Sequence, residues 1–403
     1  MRGETPEGRQ GSGPTPRADA ILLGAVLLLV ALGLVFVYSA SAVRADRAGD
    51  EFHFLERQLV AAAVGLSLLL AAMRLGTERI ARLSYPLMAV SLGLLLLVPL
   101  VGKSAGGAQR WIPLGPVHLQ PAEVAKVALV LYLARSLARK QDKVRVFSIG
   151  LLPHVLVTGA VGALCLWQKD LGTGVVLFLV LLVVLFAAGA RVVYLLGALT
   201  AALPLAYHLV RHTEYRWQRV VAFLEPARFK DGIGFQLWES LLVTSKGGWL
   251  GQGLGQGRGR LYYLPAAHTD FIAAVIAEEA GLLGLGLLIG LFAVVVWRGL
   301  RATFLARDAF GCYAALGMTT LIGGQALLNL AVVLGMLPTK GLTLPFVSYG
   351  GSSLLTLLAG VGVLLAVSVD RGGFLVRAPG GVRVGPRAAR LPRLGAAGAE
   401  EGP

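Results

Sequence analysis

Charge is scarce in this 403-residue chain. Asp, Glu, Lys and Arg make up 15% of it, where a soluble domain carries about 25% to cover its surface. A chain so poor in polar cover cannot be a soluble enzyme, a secreted scaffold or a disordered protein. Cysteine is nearly missing. Cys165 and Cys312 both lie in apolar runs, so they read as small buried apolar residues and imply no disulfide. Acid is scarcer than base, 22 against 37, for a net charge of +15. No short apolar stretch ahead of a small-residue cleavage site marks a cleaved signal peptide. What remains is apolar: 56% hydrophobic residues and a mean hydropathy of +0.72. Most of the surface must face lipid.

A membrane helix needs about 20 mostly apolar residues. Ten runs qualify, near 20–43, 57–74, 83–102, 121–138, 149–167, 171–190, 192–210, 271–297, 308–335 and 347–370. The expected fold is an all-α polytopic membrane protein of about ten transmembrane helices. With the N-terminus in the cytoplasm, the inner loops and tails hold 21 basic residues and the short outer loops hold 7. That bias places both termini inside, with an even number of spans. The positive charge is thus largely a topology signal, and nucleic-acid binding loses its support. Three units follow: a basic, disordered tail over 1–19, a membrane domain over 20–370, and a second such tail over 371–403. The tails are rich in Gly, Pro, Arg and Ala without apolar periodicity, which suits solvated chain attracted to anionic lipid.

One segment interrupts the rhythm. Residues 211–270 form an outer loop of about 60 residues between spans seven and eight, and loops of that length are usually functional. It carries Arg211, Arg216, Arg219, Arg228, Lys230, Lys246, Arg258 and Arg260, with several Trp and Tyr. Long loops escape the positive-inside rule, so these charges point to an anionic ligand at the outer face. Anchoring in the headgroup region is the alternative.

Several residues could carry chemistry. Asp270 follows Leu264-Pro265-Ala266-Ala267-His268-Thr269 and opens an apolar run. An ionised carboxylate there can serve as general base or bind a divalent cation; a plain helix N-cap is the competing role, for Thr269 or for Asp270 itself. His268 is a rival base. Glu123 and Lys126, at i and i+3 near the outer start of span four, share a helix face. They form either a structural ion pair or the lining of a cavity. Glu278 and Glu279 lie about 13 Å deeper than Asp270, beyond reach of the same atom, where Gln325 or Asn329 are polar partners. The glycine-dense stretch from Gly247 to Arg260 is no P-loop. It could bring backbone N–H groups to an anion or simply turn the chain. Lys340 to Ser353, with Ser348, brings unusual polarity to the start of span ten.

The order of these motifs resembles the shape, elongation, division and sporulation (SEDS) family over about residues 20–370. The matching pieces are Tyr38-Ser39-Ala40-Ser41, Arg110-Trp111-Ile112, Gln120-Pro121-Ala122-Glu123-Val124-Ala125-Lys126, Gln168-Lys169-Asp170-Leu171-Gly172-Thr173, Arg219 with Phe223-Leu224-Glu225-Pro226, Gly234-Phe235-Gln236, His268-Thr269-Asp270-Phe271-Ile272 with Glu278-Glu279, and Pro338 to Ser353. Pro338-Thr339-Lys340-Gly341 looks more like the family's cell-division branch than its elongation branch. The family often has Ser where Ala122 stands and Glu where Ala266 stands, so no second loop carboxylate assists at 266.

The resemblance implies ten spans and a glycosyltransferase that polymerises lipid II outside the cytoplasmic membrane, with septal wall synthesis in cell division as its setting. Asp270 matches the family's essential loop aspartate, and Glu123 and Lys126 match its buried pair beside a central cavity. It further implies a class B penicillin-binding protein as transpeptidase partner, alongside other division proteins. The donor's pyrophosphate leaves without a general acid but needs positive charge. Arg110, Lys126, Arg216, Arg219, Arg258 or a divalent cation, Mg or Mn, are the candidates. Two other classes fit the spans: a lipid II flippase, and a scaffold for a synthase that does no chemistry itself.

Overall fold

The computed structural model describes residues 18–47, 52–105, 108–114, 117–257 and 267–370, with two short pieces at 376–377 and 383–384. The expected tails lie almost wholly outside the described residues, as do Arg258 and Arg260.

Helix α1 covers Ala20–Arg47 and α2 covers His53–Val101. At 1.5 Å per residue the 49 residues of α2 would extend about 73 Å, more than twice the hydrocarbon thickness of about 30 Å. Gly76 breaks it, with φ 73 and ψ 165 inside the helical run. Only glycine enters that region at low cost, so one continuous helix becomes two membrane-length pieces. A small antiparallel sheet follows: β1 (Lys103–Ala105), β2 (Ala108–Leu114) and β3 (Val117–Leu119). Ile112 pairs with Leu119 and Lys103 with Trp111. This departs from an all-α expectation. The sequence signal was the dipeptides Gly106-Gly107 and Gly115-Pro116, which punctuate short runs of strand character.

Helix α3 (Pro121–Arg139) begins with proline at its first turn, where the missing N–H costs nothing. A 3-10 turn at Gln141–Lys143 and a π turn at Phe147–Leu151 lead into α4 (Leu152–Trp167). Then come α5 (Leu171–Ala187) and α6 (Val192–Arg211). The long outer segment is not one irregular loop; it folds α7 (Glu214–Leu224) and α8 (Phe235–Lys246). Helices α9 (Ile272–Leu305), α10 (Ala309–Val333) and α11 (Gly351–Val369) complete the bundle. Beyond it, β4 (Val376–Arg377) pairs with β5 (Arg383–Val384).

Each of the ten apolar runs is helical over most of its length. Among the described residues, seven helices are long and apolar enough to cross a membrane. The shortfall has local causes. One of the seven is the broken α2, α3 is interrupted by charge, and α5 has only 17 residues. The centre of the molecule is α3, α10 and α11, which are buried over most of their length. Helix α11 packs on α2, and α10 packs on α9, α3 and α5. Large apolar side chains face outward all round, among them Leu28, Val60, Leu156, Val193, Leu203 and Leu283. In α6 only Leu195 is buried. A soluble protein does not expose such a surface; lipid must cover it.

Candidate active site

The site is built at one end of the bundle, where the turn before α9 meets the segment between α10 and α11. Helix α9 starts at Ile272, its N-cap is Phe271, and no side chain caps it. Capping is therefore not what Asp270 does. Its carboxylate has no hydrogen-bond or ion-pair partner among the described residues, and the side chain keeps partial access from outside. The main chain around it is held tightly instead. Tyr349 N donates to His268 O at 2.9 Å. Ser348 Oγ donates to Thr269 O at 2.5 Å and accepts from Leu344 N at 2.8 Å. Asn329 Nδ2 donates to Asp270 O at 2.8 Å and to Leu342 O at 2.6 Å. Gln58 reaches in from α2, donating to Ser348 O and accepting from Gly350 N.

Positive charge surrounds the carboxylate. Burial pushes Asp270 up to about 6; Arg219 and Arg110 pull it down, and Asp170 pushes it up. Burial therefore outweighs two guanidinium groups. A methyl group on Gly341 would sit 3.5 Å from Asp270 Oδ2 and 3.9 Å from Arg110 NH1. The exposed Gly341 thus leaves open the space between carboxylate and guanidinium. Arg110 is fixed from β2 by donating Nε to Gln168 O at 2.9 Å and NH2 to Lys169 O at 2.7 Å. Those carbonyls are presented by a tight turn with Lys169 at φ 61. Asp170 closes the turn by accepting from Thr173 N and Thr173 Oγ1. Arg219 stacks over Tyr215 at 4.4 Å and donates to Thr339 O. Lys340 follows in the chain, and burial lowers its pKa.

The other expected residues separate from this group. Arg216 turns back to Leu209 O at the end of α6 and is not among the charges acting on Asp270. His268 is buried, its ring packed against Phe54 and Tyr349, so it supports the turn rather than rivalling Asp270. Ser348 is a buried stitch between two segments. Glu123 and Lys126 do pair, at 2.9 Å and nearly fully buried. Lys126 Nζ also donates to Gln325 Oε1 at 2.7 Å, and Gln325 Nε2 donates to Thr343 O at 2.9 Å. The ion pair is thus joined to the site through α10, and Lys126 is engaged too deeply to meet a pyrophosphate.

Two further expectations change. Glu279 does not meet Gln325 or Asn329; Ser39 Oγ lies 2.7 Å from both of its carboxylate oxygens. This is what the Tyr38-Ser39 motif does. The described part of the glycine stretch, 247–257, packs against α9. It fills a break in α9 at Gly281, where φ is 67. Gln252 N and Gly253 N donate to Glu278 O and Glu279 O, while Leu282 N and Leu283 N donate to Gly248 O and Trp249 O. Those bonds satisfy the backbone groups that the break frees. Among the described residues no three His, Cys, Asp or Glu side chains converge.

Sequence reasoning missed Gln58 and left Asn329 and Gln325 with the wrong partners. The available signal was an amide inside an apolar span, which requires an internal partner.

The model for the FtsW, RodA and SpoVE family of cell cycle proteins matches residues 19–372. A probable peptidoglycan glycosyltransferase FtsW of Trichlorobacter lovleyi is 46% identical over 353 residues, covering 87% of this chain and 93% of that one. Stage V sporulation protein E of Bacillus subtilis is 39% identical, covering 87% and 96%. A solved structure described as showing the structural coordination of polymerization and crosslinking by a peptidoglycan synthase complex superposes with a TM-score of 0.73 at 34% identity, covering 88% of this chain and 98% of that one. The rod shape determining protein RodA of Thermus thermophilus superposes with a TM-score of 0.66 at 34% identity, covering 88% and 97%. The chain is an integral membrane protein and belongs to the FtsW/RodA/SpoVE family.

Proposed function

We propose that this chain is a peptidoglycan glycosyltransferase that polymerises lipid II at the outer face of the cytoplasmic membrane, with Asp270 as its general base. The observation that carries the reading is the carboxylate itself. It is used neither as a cap nor in an ion pair, it stands between Arg110 and Arg219, and burial tunes it to about 6. A base with a pKa near the working pH is effective in proton transfer. The names of its relatives support the same activity.

Asp270 takes the proton from the acceptor sugar's 4-hydroxyl. The oxygen attacks the donor's anomeric carbon as the bond from that carbon to the pyrophosphate oxygen breaks. The electron pair leaves with the undecaprenyl pyrophosphate, and one displacement converts an α-linked donor into a β-1,4 bond. The leaving group's charge meets Arg110, Arg219 and Lys340, preorganised cations in a partly dehydrated site. If Mg or Mn is used, Asp270 is the residue that would hold it, and the cation would supply further positive charge for the leaving group.

The reading extends to ten spans, both termini cytoplasmic, a basic outer segment over 211–270 and septal placement through the division branch of the family. A class B penicillin-binding protein would crosslink the strands. That pairing draws support from the solved complex, which coordinates polymerization with crosslinking.

The test is glycan formation from labelled lipid II in detergent or liposomes, with moenomycin present to silence contaminating synthases. Wild type should make polymer. Asp270→Ala, correctly folded, should lose at least about 10²-fold in rate. Polymer from Asp270→Ala at the wild-type rate would remove Asp270 from the chemistry. No polymer under any condition, together with lipid II crossing the bilayer, would make the protein a flippase.

A further inference from the structure

We infer that Asn329 is a positioning residue for Asp270, acting through the main chain of the turn that carries it. The inference rests on the reading of Asp270 as base. Asn329 stands on α10 with 2% of its surface exposed. Its single Nδ2 donates to two carbonyls from distant parts of the chain, Asp270 O at 2.8 Å and Leu342 O at 2.6 Å. Both partners are acceptors, so only the amide nitrogen can occupy that place, and the orientation of the side chain follows. The buried Oδ1 then points elsewhere and has no hydrogen-bond partner among the described residues.

The turn depends on such bonds. Three successive carbonyls, of His268, Thr269 and Asp270, are each held: by Tyr349 N, Ser348 Oγ and Asn329 Nδ2. The first two donors come from the neighbouring loop. Asn329 is the donor that comes from the buried helical core, and it holds the residue that does the chemistry. The same nitrogen fixes Leu342, beside Gly341, whose Cα hydrogens face Asp270 Oδ2 and Arg110 NH1. One amide therefore sets the distance between the base and the open space in which an acceptor must sit. One turn earlier, Gln325 Nε2 donates to Thr343 O and its Oε1 accepts from Lys126 Nζ, so the two amides tie adjacent carbonyls of the loop to the core. The carboxylate of Asp270 has no partner of its own among the described residues, so its direction is set by its backbone.

The experiment compares the purified full chain with Asn329→Ala, Asn329→Ser and Asp270→Ala in lipid II polymerisation, with thermal unfolding measured for each. Serine keeps one donor and cannot reach both carbonyls. The expected order of kcat is wild type, Ser, Ala, with a fall of about 10²-fold for Ala, the size that a misplacement of about 1 Å produces. KM should stay within about threefold, since the loss lies in the transition state. The acid limb of the rate should move to lower pH, because a loosened turn admits water to a carboxylate now raised by burial. The charges facing it, Arg219 on α7, Arg110 on β2 and Asp170 in the α4–α5 turn, remain in place. A loss carried by KM, a rate that falls only with the folded fraction, or an unmoved limb would each overturn the inference. If Asn329→Ala does not fold, Asn329→Ser decides by the same three readouts. Full activity of Asp270→Ala would sink the reading beneath the inference, and that result needs no Asn329 variant.

Discussion

Asp270 is worth titrating because its environment sets opposing effects against each other. Burial raises its pKa to about 6 against the pull of Arg219 and Arg110. A base must be ionised to accept a proton, so activity should be present above that value and fall as the pH drops through it. Initial rates of lipid II polymerisation from pH 5 to 8 should show an acid limb centred near 6. A limb near the ordinary carboxylate value of about 4 would mean that the site is wetter than the structure shows. At this scale the sequence was legible where a residue's chemistry is local. Asp270 stood out because a carboxylate beside a long apolar run needs a reason. Glu123 and Lys126 stood out because their spacing alone makes them a pair, now seen at 2.9 Å. Partners distant in the chain were not legible. Nothing in the spacing of Arg110 announces that it will hold Gln168 O and Lys169 O. Nor does Ser39 announce Glu279.

The elements that matter most are the broken ones. Helix α9 carries the chain inward from Asp270, yet its hydrogen bonds stop at Gly281 and are replaced by bonds to the 247–257 segment. Unsatisfied backbone at membrane depth is expensive, which is why the segment must follow the break so closely. A side chain on Gly281 would collide with Gly251 N and lie 2.5 Å from Trp249 O. Both obstacles are backbone and cannot swing aside. Gly281→Ala should therefore destabilise the protein by at least about 2 kcal/mol, from the left-handed conformation and the overlap together. Gly286, on the same helix, has open space around it. Gly286→Ala should be neutral or stabilising by up to about 1 kcal/mol through helix propensity. Thermal unfolding in detergent separates the two, and equal midpoints would refute the stitched break. Hydropathy located α9 correctly because a break of one residue does not interrupt an apolar run. It was blind to the break for the same reason. The glycines of 247–257 were conspicuous but ambiguous, since close approach to an anion and close approach to a backbone both require the absence of Cβ.

Across the whole molecule, polar groups gather at two opposite ends of the helices. One end holds Arg110, Lys169, Arg219, Asp270 and Lys340, the proposed chemistry. At the other, Arg298 on α9 grips Asp19 with NH2 2.6 Å from Oδ2, and Asp19 N donates to Ser368 Oγ. There too Asp370 accepts from Thr77 and meets Arg307. The excess of Arg and Lys in the short loops falls on this second end, which the positive-inside rule assigns to the cytoplasm. If that assignment is right, lipid II is met outside while both termini stay inside. The chain offers a clean way to test it. Its two native cysteines, Cys165 and Cys312, are fully buried, so an impermeant maleimide finds little background in the wild type. Lys230, between α7 and α8, and Lys143, after α3, are both exposed. In intact spheroplasts Lys230→Cys should label at once, whereas Lys143→Cys should label only after the membrane is opened. The reverse pattern would put Asp270 on the cytoplasmic side, where a polymerase for the external wall has no use for it. Labelling of both positions in intact cells would mean an even number of spans between them and would break the ten-span topology.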